Sequence, residues 1–428
     1  MNSSELAGLS MGRRQLVLAM LSMLSLYFFS FFLRTAVPGT IFNELQSDFR
    51  MSAAAVTGLG SGFLYIYAGM QLVVGLAADR FGGTRTLLVG GFIMAVGAAW
   101  FPACQTPTAL YASRAFTGFG ASFMYLCIIK ELDLLFGHRR FPVMLGVSLF
   151  IGYSGGIFAM LPFERIVAAF GWRQSLAGVA VGIFIAWGSA CWALRGLDHF
   201  TPPKTRFSLS PLWRVMRNRA SWALLLVSLI NYPSYFVMQA AIGKKFLQDY
   251  AGLTSAHSAT FTTIMMFISA ALMLMAGPLL RLTGQRRKPH LYAAGVLLLA
   301  ANLMLLVGVL THASSWWFLA AYGLLAASTA SAPAGNATMK ELNAANAVGA
   351  AIAVYNGLAY VGVAILVNAS GLILDAFRQE AVVTGDAIQY PPAAYATFFG
   401  ALVALSLISL TLLAWVPEGA RHTSEQTG

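Results

Sequence analysis

"GLAADRFGGTR", residues 75–85, aligns without a gap on "GPLLRLTGQRR", residues 277–287. Gly75 falls on Gly277, Gly82 on Gly284 and Arg85 on Arg287, each pair 202 positions apart. The same offset carries backward, setting Leu45-Gln46 on Leu247-Gln248 and Ser52 on Thr254. Several matches at one offset predict a chain built from two similar halves. The shared element is a short basic loop with glycines at both helix exits. Glycine lets two helix ends turn and approach closely. The basic residues suit the anionic face of a bilayer. Ser52 and Thr254 each stand where a hydroxyl can cap the first N–H groups of the following helix. The first copy has Asp79 where the second has Arg281, so the two loops differ in charge.

The rest of the chain says what these loops connect. Of 428 residues, 58% are hydrophobic and only 10% are charged. Soluble domains carry about 25% charge, so this is a polytopic membrane protein. A bilayer core of about 30 Å takes about 20 apolar residues per helix. Stretches that meet this test run roughly 15–37, 54–78, 86–104, 107–129, 141–163, 174–195, 219–241, 257–280, 290–311, 314–338, 346–373 and 392–416. Twelve spans are therefore expected. The alternating ten-residue segments of a membrane β-barrel are absent. The segment 196–218, with "TPPK" and Lys204, Arg206, Arg214 and Arg217, reads as a cytoplasmic linker. It separates a six-helix bundle at 1–195 from a second at 219–428.

The net charge of +12 would suggest a nucleic-acid partner in a soluble chain. Here the charges are sorted by topology. With both termini cytoplasmic, the inner segments take most of the 27 lysines and arginines. The outer side keeps Arg50, Arg165, Arg173, Lys244, Lys245 and Arg378, and Arg34 and Arg114 remain within the membrane. That asymmetry is the positive-inside pattern, so no nucleic-acid partner is expected. Cys104, Cys127 and Cys191 have no paired spacing, and the six histidines never stand at i,i+4. Neither a disulfide framework nor a metal site is indicated. "GRRQLVLAML" carries twin arginines, but the apolar run is too long for an export signal and reads as the first span.

"GLAADRFGGTR" resembles the cytoplasmic loop between spans 2 and 3 of the major facilitator superfamily. "RAFTGFGASF", 114–123, is similar to that superfamily's fourth-span motif, an arginine followed by spaced glycines. "GYSGGIFAMLP", 152–162, has the glycines of the exporter-type fifth span but no proline beside the first pair, which argues against a drug antiporter. "FNELQSDFRMS", "GFLYIYAGMQLVVGLAADRFG" and "KELNAANAVGAAIAVYNGLAYVG" look further like bacterial importers of the branch that includes phagosomal amino-acid and nucleoside transporters. The resemblance implies an all-α fold of two pseudo-symmetric six-helix bundles in a bacterial inner membrane. It places spans 3, 6, 9 and 12 outside and the other eight around a central cavity.

The polar residues fit that division. Spans 3 and 6 carry almost none, and span 9 has only Asn302. Span 1 instead carries Tyr27, Ser30 and Arg34 at helical spacing. Span 2 carries Tyr65, Tyr67 and Gln71; span 7 carries Ser228, Asn231, Tyr235 and Gln239; span 11 carries Tyr355, Asn356 and Tyr360. Each would be costly against hydrocarbon. Pro38 and Pro233 mark expected bends in spans 1 and 7.

Arg34, in "SLYFFSFFLRTAVPG" (25–39), admits three readings. Counting from Gln15 at about 1.5 Å per residue puts it roughly 28 Å along, so it could snorkel to the outer headgroups. It could pair with Glu164 or Asp375. Or it could face the cavity and bind an anionic substrate group, for which its donor fork is suited. Asn231, Tyr235, Gln239 and Gln71 would then supply neutral hydrogen bonds. Arg114 resembles the family arginine tied to substrate or proton coupling; a clasp on the span 1 backbone is the alternative. Asp79, with Arg80, Arg85 and Lys130, reads as a gate at the inner mouth. Its carboxylate would face the N-terminus of span 11 near Asn346, with Lys130 as a salt-bridge partner.

The function that follows is a secondary transporter working by alternating access on a small polar solute, anionic or amino-acid-like, with protons as a candidate coupling ion. Export of a siderophore or drug-like metabolite is the alternative. No P-loop, nucleophile–base pair or cofactor motif suggests ATP coupling or an enzyme. A monomer is expected.

Overall fold

A computed structural model describes residues 13–195, 210–282, 286–344, 347–384 and 387–417. Ten helices among them are long and apolar enough to cross a membrane. The other two expected spans are helical as well. Span 4 lies in an unbroken helical run, Pro107–Phe158, that also contains most of span 5. Span 10 is divided into Ser315–Ser328 and Ala332–Leu342 by a tight turn at Thr329–Ser331. The fold is the all-α, twelve-span arrangement of two six-helix bundles.

The long helical run corrects the sequence reading, which placed a connection at 130–140. It cannot be straight. Arg114 touches the span 1 carbonyls of Leu33 and Val37, while Gly155 lies against Phe28 of the same span. A straight helix would separate residues 114 and 155 by roughly 60 Å, so the chain doubles back within the run. At Gly155 a Cβ would come within 2.1 Å of the Phe28 carbonyl oxygen, so spans 1 and 5 meet backbone to backbone.

The repeat is visible in the local structure. Ser52 Oγ accepts from the Ala55 N–H at 3.2 Å, and Thr254 Oγ1 accepts from the His257 N–H at 3.3 Å. Both caps stand where the sequence put them. Ahead of each cap lies a short helix, Phe42–Phe49 in one half and Gly243–Asp249 in the other, and Asn43 Nδ2 donates to Gln248 Oε1 across them at 3.3 Å. Gly82 ends span 2 and opens span 3 with φ +89°, a conformation that side-chain-bearing residues resist.

Both expected bends occur. Span 1 stops at Ala36, turns through Pro38 and resumes at Phe42. Span 7 is three pieces, Arg219–Ser228, Asn231–Ala240 and Gly243–Asp249, with the first break just before Pro233. A proline has no N–H for the ladder, which frees carbonyls at such a break. The expected outer helices do present apolar groups outward, with Val89 and Phe92 on span 3, Val181 and Ile185 on span 6, Val296 and Val307 on span 9, and Leu407 and Ile408 on span 12. Asn302 is turned inward, where its amide donates to Ser406 Oγ of span 12 at 2.9 Å.

Spans 2 and 11 run antiparallel and pack tightly toward the end that carries a small β-hairpin, Val382–Thr384 with Ala387–Gln389. There a Cβ on Gly371 would fall 2.0 Å from Thr57 Oγ1, and farther along Tyr67 and Tyr360 meet ring to ring at 4.9 Å. Farther along, Gly69 and Gly75 of span 2 and Gly349 and Gly357 of span 11 have open space where a side chain would stand. We call the packed end the hairpin end and the opposite one the linker end.

Candidate functional site

Arg34 sits between the two halves and is 4% exposed. Its Nη1 donates to the Tyr360 hydroxyl of span 11 at 2.7 Å. The guanidinium carbon lies 3.9 Å from the Phe31 ring centroid, 5.3 Å from Tyr360, 5.7 Å from Tyr67 and 5.9 Å from Phe236. Rings at this range attract a cation through their negative faces. Its Nε is buried with no hydrogen-bond partner among the described residues. This placement removes the snorkelling reading.

The ion-pair reading fails too, because both candidate acids are engaged elsewhere. Glu164 holds Lys244 in a buried pair. Asp375 accepts from the N–H groups of Ala53 and Ala54 at 2.8 and 2.9 Å, capping span 2 from span 11. The titratable groups that surround Arg34 are phenols: Tyr360, Tyr232, Tyr67 and Tyr27. It is a buried cation without a carboxylate among the described residues.

A small cavity of about 10 Å3, room for about one water, opens beside Arg34. Tyr235 and Gln239, both expected from the sequence, line it. Thr35, Tyr153, Tyr232 and Met266 line it as well and were missed. Tyr232 stands three residues before Tyr235 on one helix face, a spacing that could have flagged it. Gln239 meets only weak acceptors, the thioethers of Met266 at 3.3 Å and Met160 at 4.0 Å.

The other expected residues distribute around this centre. Tyr27 packs on Phe31 and Tyr125, with centroids 5.0 and 5.9 Å away, and Ser30 is buried beside it in sequence. Gln71 is buried beside Tyr67, and its amide nitrogen has no hydrogen-bond acceptor within normal geometry among the described residues. Tyr355 and Asn356 are half-buried on span 11 and do not line the cavity; Tyr355 packs over Gly335. Asn231 turns elsewhere: its carbonyl oxygen accepts from Ser409 of span 12 at 2.6 Å, bracing the span 7 break.

Arg114 is placed apart from Arg34's cavity. Its Nη1, Nη2 and Nε donate to the carbonyls of Leu33, Val37 and Leu59 at 3.1, 3.1 and 3.4 Å, and its guanidinium covers the Phe63 ring at 4.4 Å. Leu33 and Val37 border the end of span 1, where helix carbonyls lose their own partners. The geometry is the clasp alternative rather than a substrate contact. Arg114→Met removes all three donors and orphans the Leu33 and Val37 carbonyls at about 1–3 kcal/mol each, while Leu59 keeps its place in the span 2 ladder. Thermal unfolding of the purified protein is expected to show a large loss of stability that Arg114→Lys only partly restores.

Where the sequence places a gate, Lys130 Nζ donates to the Ala78 carbonyl at 2.7 Å, one residue from Asp79. Arg80 is exposed, its guanidinium 5.5 Å from the Phe81 ring, and Arg85 is exposed. The Asp79 side chain, Gly284 and Asn346 lie outside the described residues, and Gly277 is known only as part of the Ser255–Leu282 helix.

The hairpin end carries charge that the sequence did not associate. Lys244 joins Glu164 and donates to the Thr40 carbonyl at 2.6 Å, so span 7 holds both the span 1 turn and the end of span 5. Lys245 pairs with Asp249 at 2.7 Å and reaches the hairpin at the Ile388 carbonyl. Asp249 also accepts from Tyr395 at 2.7 Å. Burial raises the carboxyl pKa of Glu44, which faces Lys244 of the other half, against the opposing pull of that lysine. A carboxyl pKa higher in the closed state than in water means that closure takes up protons. Closure is then favoured as pH falls through the upper carboxylate range and weakened as pH rises through it. Spin labels on either side of the hairpin end are expected to read a larger closed fraction on acidification.

A twelve-span helical bundle with a repeated half and a buried polar centre between the halves is the architecture of a secondary transporter. The chain belongs to the Major Facilitator Superfamily, whose family model matches residues 23–365. It is a multi-pass membrane transporter. No curated protein matches the sequence. Among solved structures it is similar to a mutant of the peptide transporter POT in complex with alafosfalin, at 15% identity and TM-score 0.77, over 97% of this chain and 99% of that one. A bacterial homolog of the human lysosomal transporter Spinster, inward-facing and unoccupied, aligns at 15% identity and TM-score 0.72, over 95% and 97%. A mutant of the nucleoside transporter NupG aligns at 14% identity and TM-score 0.72, over 92% and 99%. At such identities the likeness is one of fold.

Proposed function

We propose that this transporter carries a small organic anion by alternating access and that Arg34 binds the anionic group. The observation that carries this reading is the buried guanidinium with no carboxylate partner. Placing a charge there is expensive, and a charge held in reserve for a ligand repays that cost when the ligand arrives. Gln71, Tyr235 and Gln239 are the neutral groups that would orient the solute.

Tyr360 occupies one arm of the fork in this state, tying span 1 to span 11 across the two halves. An incoming carboxylate or phosphate is a stronger acceptor than a phenol and would displace it. Binding at Arg34 would therefore loosen a link between the halves, which is how a ligand biases an alternating-access equilibrium. The state described here reads as closed at the hairpin end, where Lys244 and Asp375 join the halves. The lysine and arginine asymmetry supports a cytoplasmic linker end with both termini inside, in a bacterial inner membrane. Of the described carboxyl groups, Glu131 and Glu164 are buried, Glu131 within the Pro107–Phe158 helical run and Glu164 against Lys244.

Solute counterflow in proteoliposomes tests this reading. Labelled organic anions are expected to exchange, while matched neutral amides and amines are not. Exchange of amines or amides with no exchange of anions would overturn it.

A further inference from the structure

Away from Arg34, a slot of about 370 Å3 runs between span 6 and the last helix of span 5. Phe163, Ile166 and Phe170 of Leu161–Phe170 form one wall, at a spacing that sets them on one helix face. Gln174, Gly178 and Gly182 of Trp172–Ala193 form the other, again on one face. Phe29 of span 1 lies behind Gly182, its ring 3.0 Å from where a Cβ would stand. We infer that this slot binds one acyl chain of a membrane phospholipid, drawn from the leaflet at the hairpin end.

Position and length point to lipid. Val181 and Ile185 of span 6 turn outward close to Gly182, and Ile166 and Phe170 are exposed on the opposite wall, so the slot opens on the hydrocarbon side of the bundle. Its mouth stands at a polar boundary. There Asp48 accepts from the Trp172 indole N–H at 2.8 Å and lies 3.8 Å from the Arg173 guanidinium. Tryptophan and arginine beside a carboxylate mark the edge of a membrane rather than its middle. From Gln174 to Gly182 the slot then runs eight positions down the helix. At about 1.5 Å per residue that is about 12 Å. One leaflet contributes about 15 Å to the hydrocarbon core. A chain lying along span 6, with its ester end at Gln174, fits that depth.

The lining excludes water as the occupant. The volume equals that of roughly a dozen waters, but each ordered water needs about two to four polar partners. Below Gln174 the walls offer none, since the Ser175 hydroxyl already donates to the Gly171 carbonyl at 2.6 Å. Lipid tails are as apolar as these walls, so no hydrophobic gain favours the slot over the bilayer. The preference comes from contact: a chain in the slot meets protein atoms on three sides, and without it those atoms forfeit their dispersion partners. Gly178 makes the room. No heavy atom lies within 4 Å of where its Cβ would stand, so a side chain there would take the place of the lipid.

The test uses the purified full-length protein in nanodiscs that contain a phosphatidylcholine with a photoactivatable diazirine midway along one acyl chain. Labelled positions are read by peptide mass spectrometry on wild type, Gly178→Leu and Gly188→Leu. Gly188 also has open space on span 6 but does not line the slot, so it controls for the substitution itself. In the wild type, labelling is expected to fall several-fold more on 163–170 and 174–182 than on the outward faces of spans 9 and 12 around Val296 and Leu407. Gly178→Leu is expected to lose most of the slot labelling. Its thermal stability should equal or exceed that of wild type, because leucine fills the space and suits a helix better than glycine. Gly188→Leu is expected to label as the wild type does. Labelling spread evenly over the lipid-facing spans would overturn the inference and leave an annular contact only. Slot labelling that survives Gly178→Leu would overturn it as well. Should Gly178→Leu fail to fold, the wild-type distribution decides the question by itself.

Discussion

Arg34→Ala is expected to lower affinity for the transported anion by roughly 30-fold to a few thousandfold. The range follows from the cost of removing one partner of a buried, hydrogen-bonded charge pair, about 2–5 kcal/mol, at about 1.4 kcal/mol per decade. Arg34→Lys is expected to recover little, because an ammonium keeps the charge but not the planar fork. The substitution also breaks the bond to Tyr360, so that effect needs its own control. Tyr360→Phe removes the same hydrogen bond and leaves the cation in place. If the phenol competes with the solute for the fork, Tyr360→Phe binds the anion at least as tightly as wild type. Weaker binding in Tyr360→Phe, comparable with Arg34→Ala, would make the bond between spans 1 and 11 the important feature rather than the free arginine. Titration calorimetry on the three variants separates these outcomes.

Glu164→Gln is expected to open the hairpin end. Lys244 is buried there against Glu164 and the Thr40 carbonyl, and the pair joins the two halves. Removing the carboxylate leaves a buried ammonium without its ion-pair partner and with Glu44 as the remaining acid near it, at a cost of up to about 3–5 kcal/mol. That cost falls on the closed state, since opening returns Lys244 to water. An equilibrium between the two states would then shift by up to roughly two to three orders of magnitude toward the state open at that end. Spin labels at Arg50→Cys and Val383→Cys, in a background free of the native cysteines, would report the separation of the halves. A distance distribution unchanged by Glu164→Gln would show that the pair packs the end without latching it. Asp375, which caps span 2 from span 11, offers a second contact of the same kind.

Much of this architecture is legible in the sequence because it rests on local chemistry. Twenty apolar residues make a span wherever they occur, and Ser52 and Thr254 cap their helices through bonds three residues long. Pro233 breaks span 7 because its own nitrogen lacks a proton. The stripe of Tyr27, Ser30 and Arg34 identified a polar face by spacing alone. Which partner meets that face is a different kind of information. Tyr360 lies 326 positions from Arg34, and Lys244 lies 80 from Glu164. Those contacts follow from how whole helices pack, and the repeat offset gives no register for them. Asn231 and Arg114 show the same limit. Each is a polar group within a span, as the cavity reading required, but one turns to Ser409 and the other to freed backbone carbonyls. Burial of a polar residue in a membrane calls for a partner; the sequence does not say whether the partner is solute or protein. Tyr153 and Met266 were missed for the complementary reason, since a tyrosine in a glycine-rich span and one of two adjacent methionines look like packing until the opposing half is in place.

The most direct measurement is a high-resolution map of the protein with its organic anion bound. The expected result is density for the anionic group within hydrogen-bond distance of the Arg34 guanidinium, with the Tyr360 hydroxyl moved off Nη1. Anion density elsewhere, with the bond between Arg34 and Tyr360 intact, would contradict the assignment of Arg34 as the substrate-binding group.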